Sequence, residues 1–196
     1  MKVNEIFYSL QGEGRWSGCP AVFVRLSGCN LRCGFCDTNH SAGEELSEAE
    51  IAEAVCRYPS NHVIFTGGEP TLQLTRSLVD LLHLRSKYIH IETNGTTTLT
   101  DGLAETLDWI TVSPKEAPLK IQRMDELKAL FFGAETDMTA YEEIASRYGA
   151  RHRYLQPCDV KDAAENARIL AATIAYIKAH PAWSLSTQLH KLLGFR

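Results

Sequence analysis

The stretch His62-Val63-Ile64-Phe65-Thr66-Gly67-Gly68-Glu69-Pro70 decides how the chain folds. Its first half is a short apolar run of β-branched and aromatic residues, which reads as a buried strand over 62–66. The glycine pair ends that strand, and residues 72–84 then carry apolar side chains at helical spacing. Strand, polar turn and helix in that order make half of a parallel βαβ unit.

The pattern repeats on both sides. Upstream, residues 3–8 and 21–26 read as strands, separated by a glycine-rich turn over 11–18. Ser47, with Glu50 three residues later, is a capping-box pattern for a helix running to about Tyr58. Downstream, strands are expected at 88–92, 109–113, 127–132, 153–155 and 183–186, although the apolar run at 127–132 also suits a helix. Helices are expected at 102–107, 139–148 and 163–180, and the chain closes in a short tail. This alternation predicts an α/β fold with a parallel sheet. The polar signatures follow the strands, where parallel α/β barrels place their active sites.

The 196 residues suit one domain with a real core. A formal net charge of −4 gives no broad attraction to nucleic acid or an anionic membrane. Neither an apolar run of about 20 residues nor a signal-peptide pattern is visible, so a cytoplasmic protein is expected. Of the six cysteines, Cys29, Cys33 and Cys36 crowd together, while Cys19, Cys56 and Cys158 are scattered. A disulfide framework would be spread more evenly and would suit a smaller secreted chain.

The crowded segment reads Cys29-Asn30-Leu31-Arg32-Cys33-Gly34-Phe35-Cys36-Asp37-Thr38. Three thiolates suit three irons of a cubane, leaving the fourth iron open to a substrate. They also suit zinc, with His40 near enough in sequence to be a fourth ligand. Spacing alone leaves a 4Fe–4S cluster and a Cys3His structural zinc site both open. Glu69, behind two glycines that permit close backbone approach, is able to pair with an ammonium group. Arg25 sits in an apolar strand and needs an anion, either a substrate carboxylate or an internal salt bridge.

The C-x-x-x-C-x-aromatic-C pattern resembles the signature of the radical S-adenosylmethionine (SAM) superfamily, and Gly67-Gly68-Glu69-Pro70 resembles its GGEP motif. Further stretches are similar to the 7-carboxy-7-deazaguanine synthase family. They are Ser9-Leu10-Gln11-Gly12-Glu13-Gly14, Arg25, Cys29 through Thr38, Glu92-Thr93-Asn94-Gly95, Ser113-Pro114-Lys115, Gln156-Pro157-Cys158-Asp159 and Thr187-Gln188-Leu189-His190-Lys191. The likeness runs nearly end to end.

It implies a single radical SAM domain over residues 1–196, built as an abbreviated, partial (β/α) barrel with a mostly parallel sheet. It also implies rearrangement of 6-carboxy-tetrahydropterin to 7-carboxy-7-deazaguanine with loss of ammonia, for 7-deazapurines such as queuosine. SAM cleavage would yield a radical that takes a hydrogen from C6 of the pterin; the ring contracts, the hydrogen returns and SAM is re-formed. The cofactors implied are a 4Fe–4S cluster on Cys29, Cys33 and Cys36 with one open iron, SAM, and Mg2+ on Thr38. Phe35, Cys36, Asp37, Gly68, Glu69, Ser113, Pro114, Lys115, Gln156, Pro157, Cys158 and Asp159 are the implied SAM contacts. Leu10, Gln11, Gly12, Glu13, Arg25, Thr66 and the terminal carboxylate of Arg196 are the implied substrate contacts. Glu92 and Asn94 are placed near SAM or substrate; for His190, packing is as good a reading as an approach to the site.

The implied partners are the small pterin and an external one-electron reductant of flavodoxin or ferredoxin type, with no nucleic acid and no membrane. A sheet covered by few helices leaves an apolar face, so a homodimer is expected. Two rivals stand beside this reading. A glycyl-radical activase would have no need of Gln11–Glu13 or Thr38, and a zinc-binding structural module would take up no iron.

Overall fold

The computed structural model describes residues 1–36, 38–100, 102–116 and 118–195. Its strands are β1 (Lys2–Leu10), β2 (Pro20–Leu26), β3 (Glu44–Glu45), β4 (His62–Gly67), β5 (Tyr88–Thr93), β6 (Trp109–Val112), β7 (Glu126–Phe131), β8 (His152–Pro157) and β9 (Ser184–Leu185). Its helices are α1 (Glu48–Cys56), α2 (Arg76–His83), α3 (Leu103–Thr106), α4 (Met138–Tyr148), α5 (Ala163–Ala179) and α6 (Leu189–Leu193). All the described strands join one sheet in the order β3-β1-β2-β4-β5-β6-β7-β8-β9. From β2 to β9 every pairing is parallel, and the sheet does not close, which makes it a partial barrel.

The N-terminus departs from the parallel expectation: β1 pairs antiparallel with both β2 and β3. A parallel crossover needs roughly a dozen residues or more, usually a helix. The segment between β1 and β2 holds only a single 3-10 turn, Gly14–Trp16, so the chain folds straight back.

The helix expected over 72–84 is also divided. Pro70–Leu72 forms a 3-10 turn, and α2 starts only after Thr75, whose hydroxyl accepts from Leu78 N. The capping box of α1 forms as its sequence requires, with Ser47 and Glu50 bonded reciprocally. The tail after β9 holds a short helix, α6.

Side chains alternate between the two faces along the parallel strands, while β1 carries an irregularity between Val3 and Glu5. Val22, Val24, Leu26, Val63, Phe65, Ile89, Ile91, Ile110, Val112, Leu127 and Ala129 point to one face. There they build the main core with Ile51 and Val55 of α1 and Leu78, Val79 and Leu82 of α2. The intervening residues, among them Arg25, Thr66, His90, Glu92, Lys128 and Gln156, point to the inner face. Among the described residues no helix is long and apolar enough to cross a membrane.

Candidate active site

The inner face encloses a cavity of about 690 Å³ at the C-terminal ends of the parallel strands. The exits of β2 and β4 are tied by backbone bonds, with Gly68 N donating to Leu26 O and Glu69 N to Gly28 O. A Cβ on Gly68 would overlap the Gly28 carbonyl, so this approach requires glycine. The turn after β4 thereby anchors the start of the cysteine loop. Asn30 adds a second anchor, accepting from Asn94 Nδ2 at 3.1 Å and donating to Thr96 Oγ1 at 2.8 Å.

Cys29, Cys33 and Cys36 all line the cavity. The last two are joined by a turn in which Cys36 N donates to Cys33 O. Burial pushes the Cys29 and Cys33 thiols up from their ordinary value. No three His, Cys, Asp or Glu side chains among the described residues are gathered closely enough to form a ready-made metal site. His40 does not line this cavity but a neighbouring cleft, together with Cys29, Arg32 and Gln73. Three soft thiols facing one cavity that His40 does not line fit a cubane with an open iron better than a Cys3His zinc site.

The glycine-rich loop after β1 is a packed plug. Gln11 is buried; its Nε2 donates to Glu92 Oε1 at 2.7 Å and its Oε1 accepts from Glu13 N. Glu13 Oε1 accepts from Gln156 Nε2 and Gln188 Nε2, both at 3.0 Å. Lys128 Nζ stands between Glu13 Oε2 at 2.5 Å and Glu92 Oε2 at 2.7 Å. Burial opposes ionisation of Glu13, but the Lys128 charge and these hydrogen bonds outweigh it and hold the carboxyl well below the usual range. Burial likewise opposes the Lys128 ammonium, and the charges of Glu13, Glu92 and Glu126 more than offset it.

Trp16, two residues past Gly14, anchors the loop from below. Its ring packs against His62, Tyr88, His90 and Trp109 with centroids 5.0 to 5.8 Å apart. Burial pushes Glu126, beside this layer, up to about 7, while Lys128 and a bond from Arg15 N pull the other way.

Arg25 and Thr66 are register partners on β2 and β4 and both line the cavity. Arg25 Nε donates to Glu5 Oε1 at 2.8 Å, so the internal salt bridge foreseen for it is formed. Its Nη1 lies 3.4 Å from Thr38 Oγ1, which brings the guanidinium and that hydroxyl to one spot. Leu10, Gly12, Phe35, Gly68, Ser113, Lys115, Gln156, Pro157, Cys158 and Asp159 also line the cavity. Lys115 donates to Ser113 Oγ at 2.8 Å and lies over the Phe35 ring; burial first, then Lys128, brings its pKa down to about 8.

Two expected SAM contacts do not line the cavity. Pro114 is buried and is not among the residues lining it. Glu69, 1% exposed, is turned into the protein, where Thr71 N, Thr71 Oγ1, Thr93 Oγ1 and Asn94 N all donate to it. Its carboxylate braces the β4 and β5 exits. Asp37 and Arg196 lie outside the described residues.

Lys128 and Trp16 were missed in the sequence, and Gln188, although part of the quoted stretch 187–191, was given no role. Lys128 carried the clearest signal, a lysine inside the apolar run Leu127–Phe131 at an inner-face position. His190 proves to line the cavity and abuts Gly12, where a Cβ would crowd its Nδ1.

Residues 23–168 match the model of the radical SAM superfamily, and with the partial barrel and its three cysteines they place the chain among radical SAM enzymes. The curated 7-carboxy-7-deazaguanine synthase of Bacteroides thetaiotaomicron is 47% identical over 196 residues, covering 100% of this chain and 98% of that protein. The synthase of Bradyrhizobium diazoefficiens is 38% identical, covering 99% and 98%. The crystal structure of QueE from Escherichia coli superposes with a TM-score of 0.78 at 29% identity, covering 95% of this chain and 93% of that one. The chain belongs to the 7-carboxy-7-deazaguanine synthase family, and the activase and zinc-module readings are set aside.

Proposed function

We infer that this chain is a carbon–nitrogen lyase that turns 6-carboxy-5,6,7,8-tetrahydropterin into 7-carboxy-7-deazaguanine with release of ammonia. The observation that carries this reading is convergence. Three cysteines, an arginine beside a threonine hydroxyl, and a carboxylate-bearing loop all face one cavity. When bound, the cluster supplies the electron that cleaves SAM reductively. Cys29, Cys33 and Cys36 would hold it, and Phe35, Gly68, Ser113, Lys115 and 156–159 would seat SAM against it.

The chain's other residues orient the pterin. Arg25 offers a guanidinium fork to its carboxylate, with Thr66 alongside. Gln11 and Glu13 face the N–H-rich edge of the ring. Thr38 would offer Mg2+ a hard hydroxyl oxygen, the kind of ligand that ion prefers. His190 on α6 closes the loop side of the cavity.

One radical SAM domain spanning 1–196, a flavodoxin- or ferredoxin-like reductant, a cytoplasmic setting and a homodimer complete the proposal. Leu170 and Ile174, exposed on α5, are the kind of apolar surface that copies bury. Anaerobic incubation of reconstituted protein with SAM, dithionite, Mg2+ and the carboxypterin is expected to yield the deazaguanine acid. Formation of 5′-deoxyadenosine without that acid would sink the substrate assignment.

A further inference from the structure

Lys128 has no assigned task, yet it sits at the centre of the loop side of the cavity. Its side chain is 4% exposed and its ammonium is shared by Glu13 and Glu92. Two carboxylate oxygens bound to one nitrogen lie within about 5 Å of each other, a distance at which two buried carboxylates repel strongly and one tends to keep a proton. Glu126, two residues before Lys128 on the same face of β7, brings a third carboxylate to the group. Lys115 is a second cation nearby, repelled by Lys128 and attracted by Glu13.

The remaining oxygens are also committed. Glu92 Oε1 takes the Gln11 amide, and Glu13 Oε1 takes the amides of Gln156 and Gln188. These neutral amides can be exchanged for N–H donors of a ligand without moving charge. The ammonium cannot be exchanged so cheaply, because its removal leaves buried carboxylates uncompensated.

We propose that Lys128 is a positioning residue that sets the polarity of the substrate site. By bridging Glu13 and Glu92 it keeps both as acceptors, so that the loop binds a heterocycle edge rich in N–H donors, such as the aminopyrimidinone edge of a pterin. A protonated carboxyl in the same place would offer a donor to that edge and bind it poorly. The inference rests on the pterin reading above.

The test is the pH dependence of KM for 6-carboxy-tetrahydropterin between pH 6 and 9, in the reconstituted full-length enzyme. Wild type must first make the deazaguanine acid; if it makes none, the substrate reading fails and the Lys128 question falls with it. For Lys128→Met, KM at pH 7 is expected to rise at least tenfold, with kcat changing less. KM is also expected to improve steadily from pH 6 to 9, because the uncompensated pair then sheds its proton. Adding Glu92→Gln to this variant removes the repulsion and should flatten the profile. A Lys128→Met profile parallel to that of wild type, whatever the overall loss, would overturn the proposal and leave Lys128 a structural residue. Circular dichroism checks folding, and Lys128→Gln, uncharged but still a donor, takes the place of the methionine variant if that one does not fold.

Discussion

On the outer face of the sheet, Val22, Val24, Val63, Phe65, Ile89 and Ile91 meet the helices and are all but free of solvent. On the inner face the residues between them are Phe23, Arg25, Ile64, Thr66, His90 and Glu92, and the same strands carry aromatic rings and charge. One face uses burial of apolar area, non-directional and tolerant of repacking. The other uses paired charges and hydrogen bonds, where losing one partner leaves another stranded. Substitutions on the outer face should therefore cost stability, and substitutions on the inner face should cost chemistry or binding.

The cysteines at the rim are the sharpest place to break this contrast. Cys33→Ala is expected to abolish SAM cleavage, since a cubane anchored by two thiolates is poorly held; persistent 5′-deoxyadenosine would refute the cluster assignment. On the outer side, Leu82→Ala empties a fully buried position and should cost about 2–5 kcal/mol in chemical denaturation. Its KM for the pterin should not change, and a shifted KM would show that the two faces are coupled.

Arg25→Ala should weaken pterin binding roughly 10- to 100-fold, the scale of about 1.5–3 kcal/mol for a charge-assisted contact, while slow uncoupled SAM cleavage continues. Unchanged affinity would reduce Arg25 to the structural partner of Glu5.

At neutral pH the smallest effect belongs to the aromatic layer beneath the site, because it emerges only in acid. Burial, reinforced by His62, brings the pKa of His90 down to about 3, so the folded protein holds it neutral. Its contribution is complete above the unfolded value near 6.5 and is lost as pH falls from there toward 3, by at most about 1.4 kcal/mol per pH unit. His90→Gln should make the acid limb of Tm against pH shallower than in wild type. An unchanged limb would place the acid sensitivity elsewhere.

Much of this architecture was legible before any coordinates, for local reasons. Apolar periodicity located β4, β5 and β6 to within a residue or so, and the Ser47–Glu50 capping box marked the start of α1. Other features depended on neighbours far along the chain. The antiparallel turn of β1 became evident only with its pairing to β2, and the tail became a helix because Leu189 N donates to Gly12 O, docking it on the loop. Glu69 read as a ligand-facing acid, yet four donors from Thr71, Thr93 and Asn94 draw it inward.

The sequence by itself determined the βα alternation, the three cysteines, and the loop residues Gln11 and Glu13. Periodicity and short motifs are written in consecutive residues, where local sterics and spacing can be read directly. Only the tertiary structure decided that Lys128 stands between Glu13 and Glu92, and that Trp16 seats the loop on His62, Tyr88, His90 and Trp109. Those contacts join residues tens of positions apart. What selects them is the cost of burying charge and aromatic surface on one shared face, and that cost arises only once the strands lie side by side.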